Sequence, residues 1–86
     1  MKILFTERFE QAYETLARSE KQSVRKAVAL SGDNPRYPGL HLKKMEGRRD
    51  MWEVRPSKRL RMTFEMGGET ILLRNVGEHD KVLKST

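Results

Sequence analysis

Apolar positions along this chain fall into two regimes. From Glu7 they recur at Phe9, Ala12, Tyr13 and Leu16, the i, i+3, i+4, i+7 stripe of an amphipathic helix. Thr6 is its predicted N-cap, and Glu7, Glu10 and Glu14 occupy the first two turns, where the helix dipole favours negative charge. Ser19-Glu20-Lys21-Gln22 fits a capping box and predicts the start of a second helix with a Val24, Ala27, Val28, Leu30 stripe. Gly32-Asp33-Asn34-Pro35 ends it. Two helices joined by about two residues pack as an antiparallel hairpin.

Residues 32–41, with two Pro, two Gly, Asp and Asn, read as a loop. Beyond it the period changes to two. Leu40–Met45 is a short predicted strand ending at Glu46-Gly47, and Met51–Arg55 is a clearer one. Pro56-Ser57-Lys58 is a turn. Leu60, Met62, Phe64 and Met66 then alternate with Arg61, Thr63 and Glu65, so that one face is core and the other polar. Gly67-Gly68 signals a hairpin into a last strand, Thr70–Val76, and Gly77-Glu78-His79-Asp80 leaves the sheet. Lys2–Phe5 is an opening strand, and Lys81–Ser85 leaves room for a short C-terminal helix. The expected fold class is α+β. An N-terminal strand and a two-helix hairpin pack on one face of a mainly antiparallel sheet of four to five strands.

Length and composition narrow the function. Eighty-six residues make one expected domain over 1–86, with a thin core. No run of about 18 apolar residues exists to span a membrane, and the apolar stretch after Lys2 is too short for a signal peptide. The absence of Cys removes disulfides, thiolate zinc sites and cysteine nucleophiles, and His41 and His79 alone cannot hold zinc. A cytoplasmic chain without cofactor, metal or membrane partner is expected. The net charge of +6 is concentrated. Residues 35–62 hold nine basic and three acidic side chains, and elsewhere nine of each cancel. Such a patch points to a polyanion, above all nucleic acid. An acidic protein partner or a solubility surface is the plainer reading.

Alternation places the chemistry. With Trp52, Val54, Leu60, Met62, Phe64, Ile71 and Leu73 facing the helices, Glu53, Arg55, Arg61 and Arg74 share the opposite, uncovered face. His79 follows the last strand, and Lys43, Lys44, Arg48, Arg49, Lys58 and Arg59 surround the face from loops. Guanidinium groups bind phosphate through paired hydrogen bonds, an imidazole moves a proton near neutrality, and a carboxylate orients it or acts as base. Cleavage of RNA by its own 2′-hydroxyl needs these functions and requires no metal. Simpler readings stand beside this one. Arg55, Arg61 and Glu53 can form cross-strand ion pairs, and His79 can be a capping residue. Trp52 and Tyr13 suit the core, His41 suits a strand surface, and the five Met suit gap-filling. Tyr37 lies in the loop, open to exposure.

The ordered series Leu42-Lys43-Lys44-Met45-Glu46-Gly47, Met51-Trp52-Glu53-Val54-Arg55, Arg59-Leu60-Arg61-Met62-Thr63-Phe64 and Ile71-Leu72-Leu73-Arg74-Asn75-Val76-Gly77-Glu78-His79-Asp80 resembles the RelE/ParE toxin superfamily, closest to its RelE-like branch. The resemblance spans nearly the whole chain. It implies a type II toxin that cleaves mRNA in the ribosomal A site, with mRNA and ribosomal RNA as partners, and that a cognate antitoxin protein silences. It implies that Arg61 contacts the scissile phosphate, that Arg55 is a second basic contact, that His79 stands at a catalytic position, and that Glu53 replaces a Lys found in some relatives. The basic ring of Lys43, Lys44, Arg48, Arg49, Lys58, Arg59 and Arg74 would hold RNA. The chain departs from many relatives near its C-terminus, where Lys81-Val82-Leu83-Lys84 contains no Tyr. Leu83 neither exchanges a proton nor stacks on a base in that way, so the expectation is either weaker activity or proton transfers carried by His79 and Glu53 between them. A ParE-like inhibitor that binds DNA gyrase without catalysis, and a degenerate module that binds only RNA or antitoxin, remain alternatives.

Overall fold

A computed structural model describes residues 1–47, 50–78 and 82. The chain opens with strand β1 (Lys2–Phe5), followed by helices α1 (Glu7–Glu14) and α2 (Arg18–Asp33) and a 3-10 turn over Pro38–Leu40. Four more strands follow: β2 (Lys43–Lys44), β3 (Met51–Val54), β4 (Leu60–Gly67) and β5 (Thr70–Glu78). They form one five-stranded α+β sheet in the order β1-β5-β4-β3-β2. The pairs among β2 to β5 are antiparallel, whereas β1 runs parallel to β5 from Lys2↔Thr70 to Phe5↔Leu73. Two helices between β1 and the meander supply the crossover that a parallel pair requires.

Local chemistry sets the element boundaries. Thr6 Oγ1 accepts from Phe9 N at 3.1 Å, and its hydroxyl donates to Arg74 O at 3.1 Å, so one residue caps α1 and ties it to β5. The second helix starts earlier than the Ser19 capping box predicts. Ala17 is its N-cap, and Glu20 Oε1 accepts from Ala17 N at 3.0 Å. Glu20 therefore supplies the return half of a box, while Ala17 has no side-chain acceptor to supply the other. The helix also runs through Gly32 to Asp33, past its predicted stop, and Asn34 caps it. Gly67 stays in the β4–β5 ladder, and the two-residue turn is Gly68-Glu69, with Gly68 at φ +57° where glycine carries no steric penalty.

The sheet differs from the expectation at three places. The strand expected over Leu40–Met45 shrinks to two residues, because Leu40 closes the 3-10 turn and His41 turns left-handed at φ 52°. The last strand continues in the ladder through Gly77 and Glu78 rather than leaving it at Gly77. A register shift between Thr63 and Phe64 leaves Arg74 without a directly opposed residue on β4. Of the helix expected at 81–85, residues 81 and 83–85 lie outside the described residues.

The core lies between the helical hairpin and the sheet. Phe9, Val24 and Ala27 meet Leu40, Val54, Leu60, Met62, Phe64, Ile71, Leu73 and Val76, with Trp52, Tyr13 and Leu16 packed around them. No helix among the described residues is long and apolar enough to cross a membrane.

Phe64 is fully buried at the centre of this core. Phe64→Ala is expected to lower unfolding free energy by about 3–5 kcal/mol. Thr6→Ala, which removes one cap, is expected to lower it by about 1 kcal/mol. Urea denaturation measures both, and a Phe64→Ala loss no larger than that of Thr6→Ala would contradict this packing.

Candidate functional site

The antiparallel registers set polar side chains in rows across the face turned away from the helices. One row runs Lys43↔Glu53, Glu53↔Thr63, Thr63↔Asn75 over four strands. The neighbouring row joins Arg61 to Gly77. Asn75 enters the first row only because of the register shift. Strict alternation from Leu73 would turn it inward.

The centre of this face is closed, although alternation alone leaves it uncovered. Glu53 and Arg61 are each 8 % exposed, Asn75 is 7 % exposed and Thr63 is fully buried. Arg61 folds back along the turn before β4. Its Nη1 donates to Lys58 O at 3.0 Å and Leu60 O at 2.8 Å, with a longer contact to Ser57 O at 3.4 Å. Its Nε lies 3.4 Å from Glu53 Oε1, inside ion-pair range. The alignment is not that of a hydrogen bond, and Arg61 Nε has no hydrogen-bond partner among the described residues. Thr63 Oγ1, two residues along the same face, has none either. Two buried polar atoms without a hydrogen-bond partner among the described residues therefore belong to β4 residues two positions apart. Such groups normally have partners in a folded protein, so their location marks this spot.

The remaining candidates divide by pairing. Arg59 Nη2 bonds Glu78 Oε1 at 2.8 Å across the β4–β5 end, with both groups in solvent. Arg74 Nη1 lies 3.1 Å from Glu65 Oε1. Lys43, Lys44, Arg55 and Lys58 are exposed and make no ion pair among the described residues. Arg55 follows β3 directly, and its backbone N donates to Leu40 O at 2.8 Å. Lys43 and Lys44 form the edge strand itself, where lysine discourages a further strand from pairing. Arg48, Arg49 and His79 lie outside the described residues, as does Leu83. Val82 is buried, and its Cγ2 lies 3.5 Å from where a Cβ on Gly77 would stand, so the chain returns against the end of the Arg61 row.

The structure thus brings Glu53 and Arg61 into contact, sets exposed Arg55 at the end of the same strand as Glu53, and ties Arg74 to Glu65. Thr63 and Asn75 were not singled out as site residues from sequence. The available signal was an Asn in the otherwise apolar run Ile71-Leu72-Leu73-Arg74-Asn75-Val76.

Comparison with solved structures gives this architecture a place. The RelE-RelB antitoxin-toxin complex of Methanococcus jannaschii contains a chain that superposes with TM-score 0.73 at 19 % identity, covering 94 % of this chain and 95 % of that one. The YoeB/ParE toxin of Agrobacterium tumefaciens gives TM-score 0.79 at 14 % identity, covering 92 % and 99 %. The Escherichia coli DinJ-YafQ toxin-antitoxin complex gives TM-score 0.80 at 8 % identity, covering 94 % of each chain. The chain has the RelE/ParE toxin fold. No protein-family model and no curated protein matches its sequence. Within the RelE/ParE fold, the strand meander carries the Glu53–Arg61 contact, and the helical hairpin lies on the opposite face.

Burial separates the ion pairs on this face. Glu53→Ala strands a buried guanidinium and is expected to lower stability by about 3–5 kcal/mol. Glu65→Ala opens an ion pair whose side chains are 39 % and 43 % exposed, with an expected change below about 1 kcal/mol. Equal losses in chemical denaturation would contradict the burial difference.

Proposed function

We propose that the protein is the toxin of a toxin–antitoxin pair, and that its activity is metal-independent cleavage of mRNA on the ribosome. The observation that carries the reading is that two buried β4 atoms, Arg61 Nε and Thr63 Oγ1, have no hydrogen-bond partner among the described residues. They lie on the face that also carries the Glu53 carboxylate, with exposed Arg55 directly after the strand of Glu53. A phosphodiester offers oxygen acceptors to both, and guanidinium groups stabilise the charge that grows on them in the transition state. The fold likeness to chains solved with RelB and DinJ supports a cognate antitoxin as partner.

In the proposed reaction the RNA 2′-oxygen attacks the adjacent phosphorus while its proton passes to a base. The bond from phosphorus to the 5′-oxygen breaks, and that oxygen takes up a proton. The products are a 2′,3′-cyclic phosphate and a 5′-hydroxyl. Arg61 and Arg55 stabilise the crowded phosphate. Glu53 and His79 exchange the two protons, with His79 assigned through the sequence resemblance. Exposed Lys43, Lys44 and Lys58, together with Arg48, Arg49, Arg59 and Arg74, hold the RNA and ribosomal phosphates. Arg61 must loosen from the Lys58 and Leu60 carbonyls, or present its remaining edge, for the phosphate to reach it.

That engagement of Arg61 favours a second reading. A guanidinium committed to three carbonyl contacts and one carboxylate is also a structural clamp on the turn, which suits a toxin that acts by binding alone.

The test is induced expression in bacteria with primer extension on a translated reporter mRNA. Wild type is expected to give ribosome-dependent breaks within the reading frame. Arg61→Ala removes the clamp together with the phosphate contact, so Arg61→Lys is the cleaner variant: it keeps a cation beside Glu53 and loses the planar fork. Arg61→Lys is expected to lose at least about a hundredfold in cleavage, the scale of one transition-state electrostatic contact. Exposed Arg55→Ala is expected to reduce cleavage with stability unchanged. Growth inhibition without breaks would overturn the cleavage reading in favour of a bound target.

A further inference from the structure

The segment joining α2 to β2 carries an aromatic side chain that the proposed reaction leaves unused. Tyr37 is 48 % exposed. A single exposed apolar ring needs no explanation by itself. The setting of this one is unusual in three respects.

The backbone beneath it is fixed. Asn34 Oδ1 accepts from Arg36 N at 3.1 Å, and Asn34 O accepts from Tyr37 N at 3.0 Å. Tyr37 O accepts from Leu40 N at 3.0 Å, and Pro38 O accepts from His41 N at 3.2 Å. Pro35 and Pro38 fix φ on either side. The ring rests beside Gly39, where an added Cβ would stand 3.6 Å from Tyr37 Cε1. The segment is also pinned to the candidate site. Leu40 is buried in the core, and its carbonyl accepts from the backbone N of Arg55 at 2.8 Å. Finally, the segment and the strand end it is bonded to carry arginines. Arg36 precedes the ring and is exposed, and Arg55 is exposed on the strand end to which the segment is tied.

Exposed aromatic rings on fixed backbone, combined with arginines that can follow a phosphate chain, are the means by which proteins hold single-stranded nucleic acid. Each base stacks on an aromatic ring while cations follow the backbone. We propose that Tyr37 is a base-stacking platform for unpaired RNA, fixing the nucleotide that lies next to the one whose phosphate Arg55 contacts. It selects among nucleotides through stacking strength and takes no part in bond breaking. The proposal rests on the reading of the chain as an mRNA-cleaving toxin, and its test separates the two.

The probe is a short single-stranded RNA carrying 2-aminopurine, whose fluorescence falls on stacking, titrated at low salt into the full chain. Wild type and Tyr37→Phe are expected to quench it and bind alike. Tyr37→Leu, which keeps apolar bulk without a π system, and Tyr37→Ala are expected to lose the quench and bind about tenfold more weakly. On ribosomes, Tyr37→Ala is expected to raise KM for cleavage and flatten the preference among codons, with thermal stability unchanged. Absence of quenching by wild type overturns the platform, as does a Tyr37→Leu protein that quenches and binds like wild type. Quenching that depends on Tyr37 in a protein that makes no ribosomal breaks supports the platform and overturns the cleavage reading.

Discussion

The register shift between Thr63 and Phe64 governs what each side of the sheet presents. Leu73 and Val76 are three residues apart, so strict alternation would send one of them to the wrong face. With Arg74 unopposed, both enter the core, and Asn75 turns outward opposite Thr63. The same shift completes the row of Lys43, Glu53, Thr63 and Asn75. A ladder without it would have to bury Asn75 among apolar side chains or give up the packing of Val76. Bulges re-aim side chains in this way next to working sites in many sheets.

The buried polar cluster on the outer face is not explained by stability. Desolvating a carboxylate and a guanidinium offsets much of their attraction, and a well-packed apolar pair in their place is often as stable. Thr63 adds a hydroxyl with no partner among the described residues, which is a further cost. Under the proposed function these polar groups are preorganised for an oxygen-rich ligand, because donors already fixed in place need little reorganisation when charge develops. The three carbonyl contacts of Arg61 Nη1 provide that fixation, so in the proposed reading clamp and ligand contact are two uses of one side chain.

Much of the architecture was legible in the pattern of the residues. The stripe from Phe9 to Leu16 and the alternation from Leu60 to Met66 identified α1 and β4, because each period matches only one regular structure. Thr6 was legible as a cap for the same local reason. Boundaries that depend on distant partners were not legible. Glu20 caps from inside the second helix, so the visible Ser19 box pointed two residues too far along. The β2 strand is shortened by the 3-10 turn at Pro38–Leu40, which Leu40 burial holds in place. At the site, alternation put Glu53 and Arg61 on one face. It could not show that they touch, that they are buried, or that Arg74 pairs with Glu65. Those facts depend on rotamers and on the register shift, neither of which a periodicity contains.

The parallel pairing of β1 with β5 has a consequence for the order of assembly. Each of β2 to β5 finds a partner close by along the chain, and the β4–β5 hairpin closes through two residues. β1 has no such neighbour, since its ladder runs between residues 2–5 and 70–73. Closing so long a loop carries an entropic penalty that local contacts must first offset. During synthesis β1 emerges before its partner and waits, with the helical hairpin attached, until β5 has been made. The sheet therefore acquires its fifth strand only after the meander has formed, and a growing chain cannot display the finished outer face before β5 has emerged.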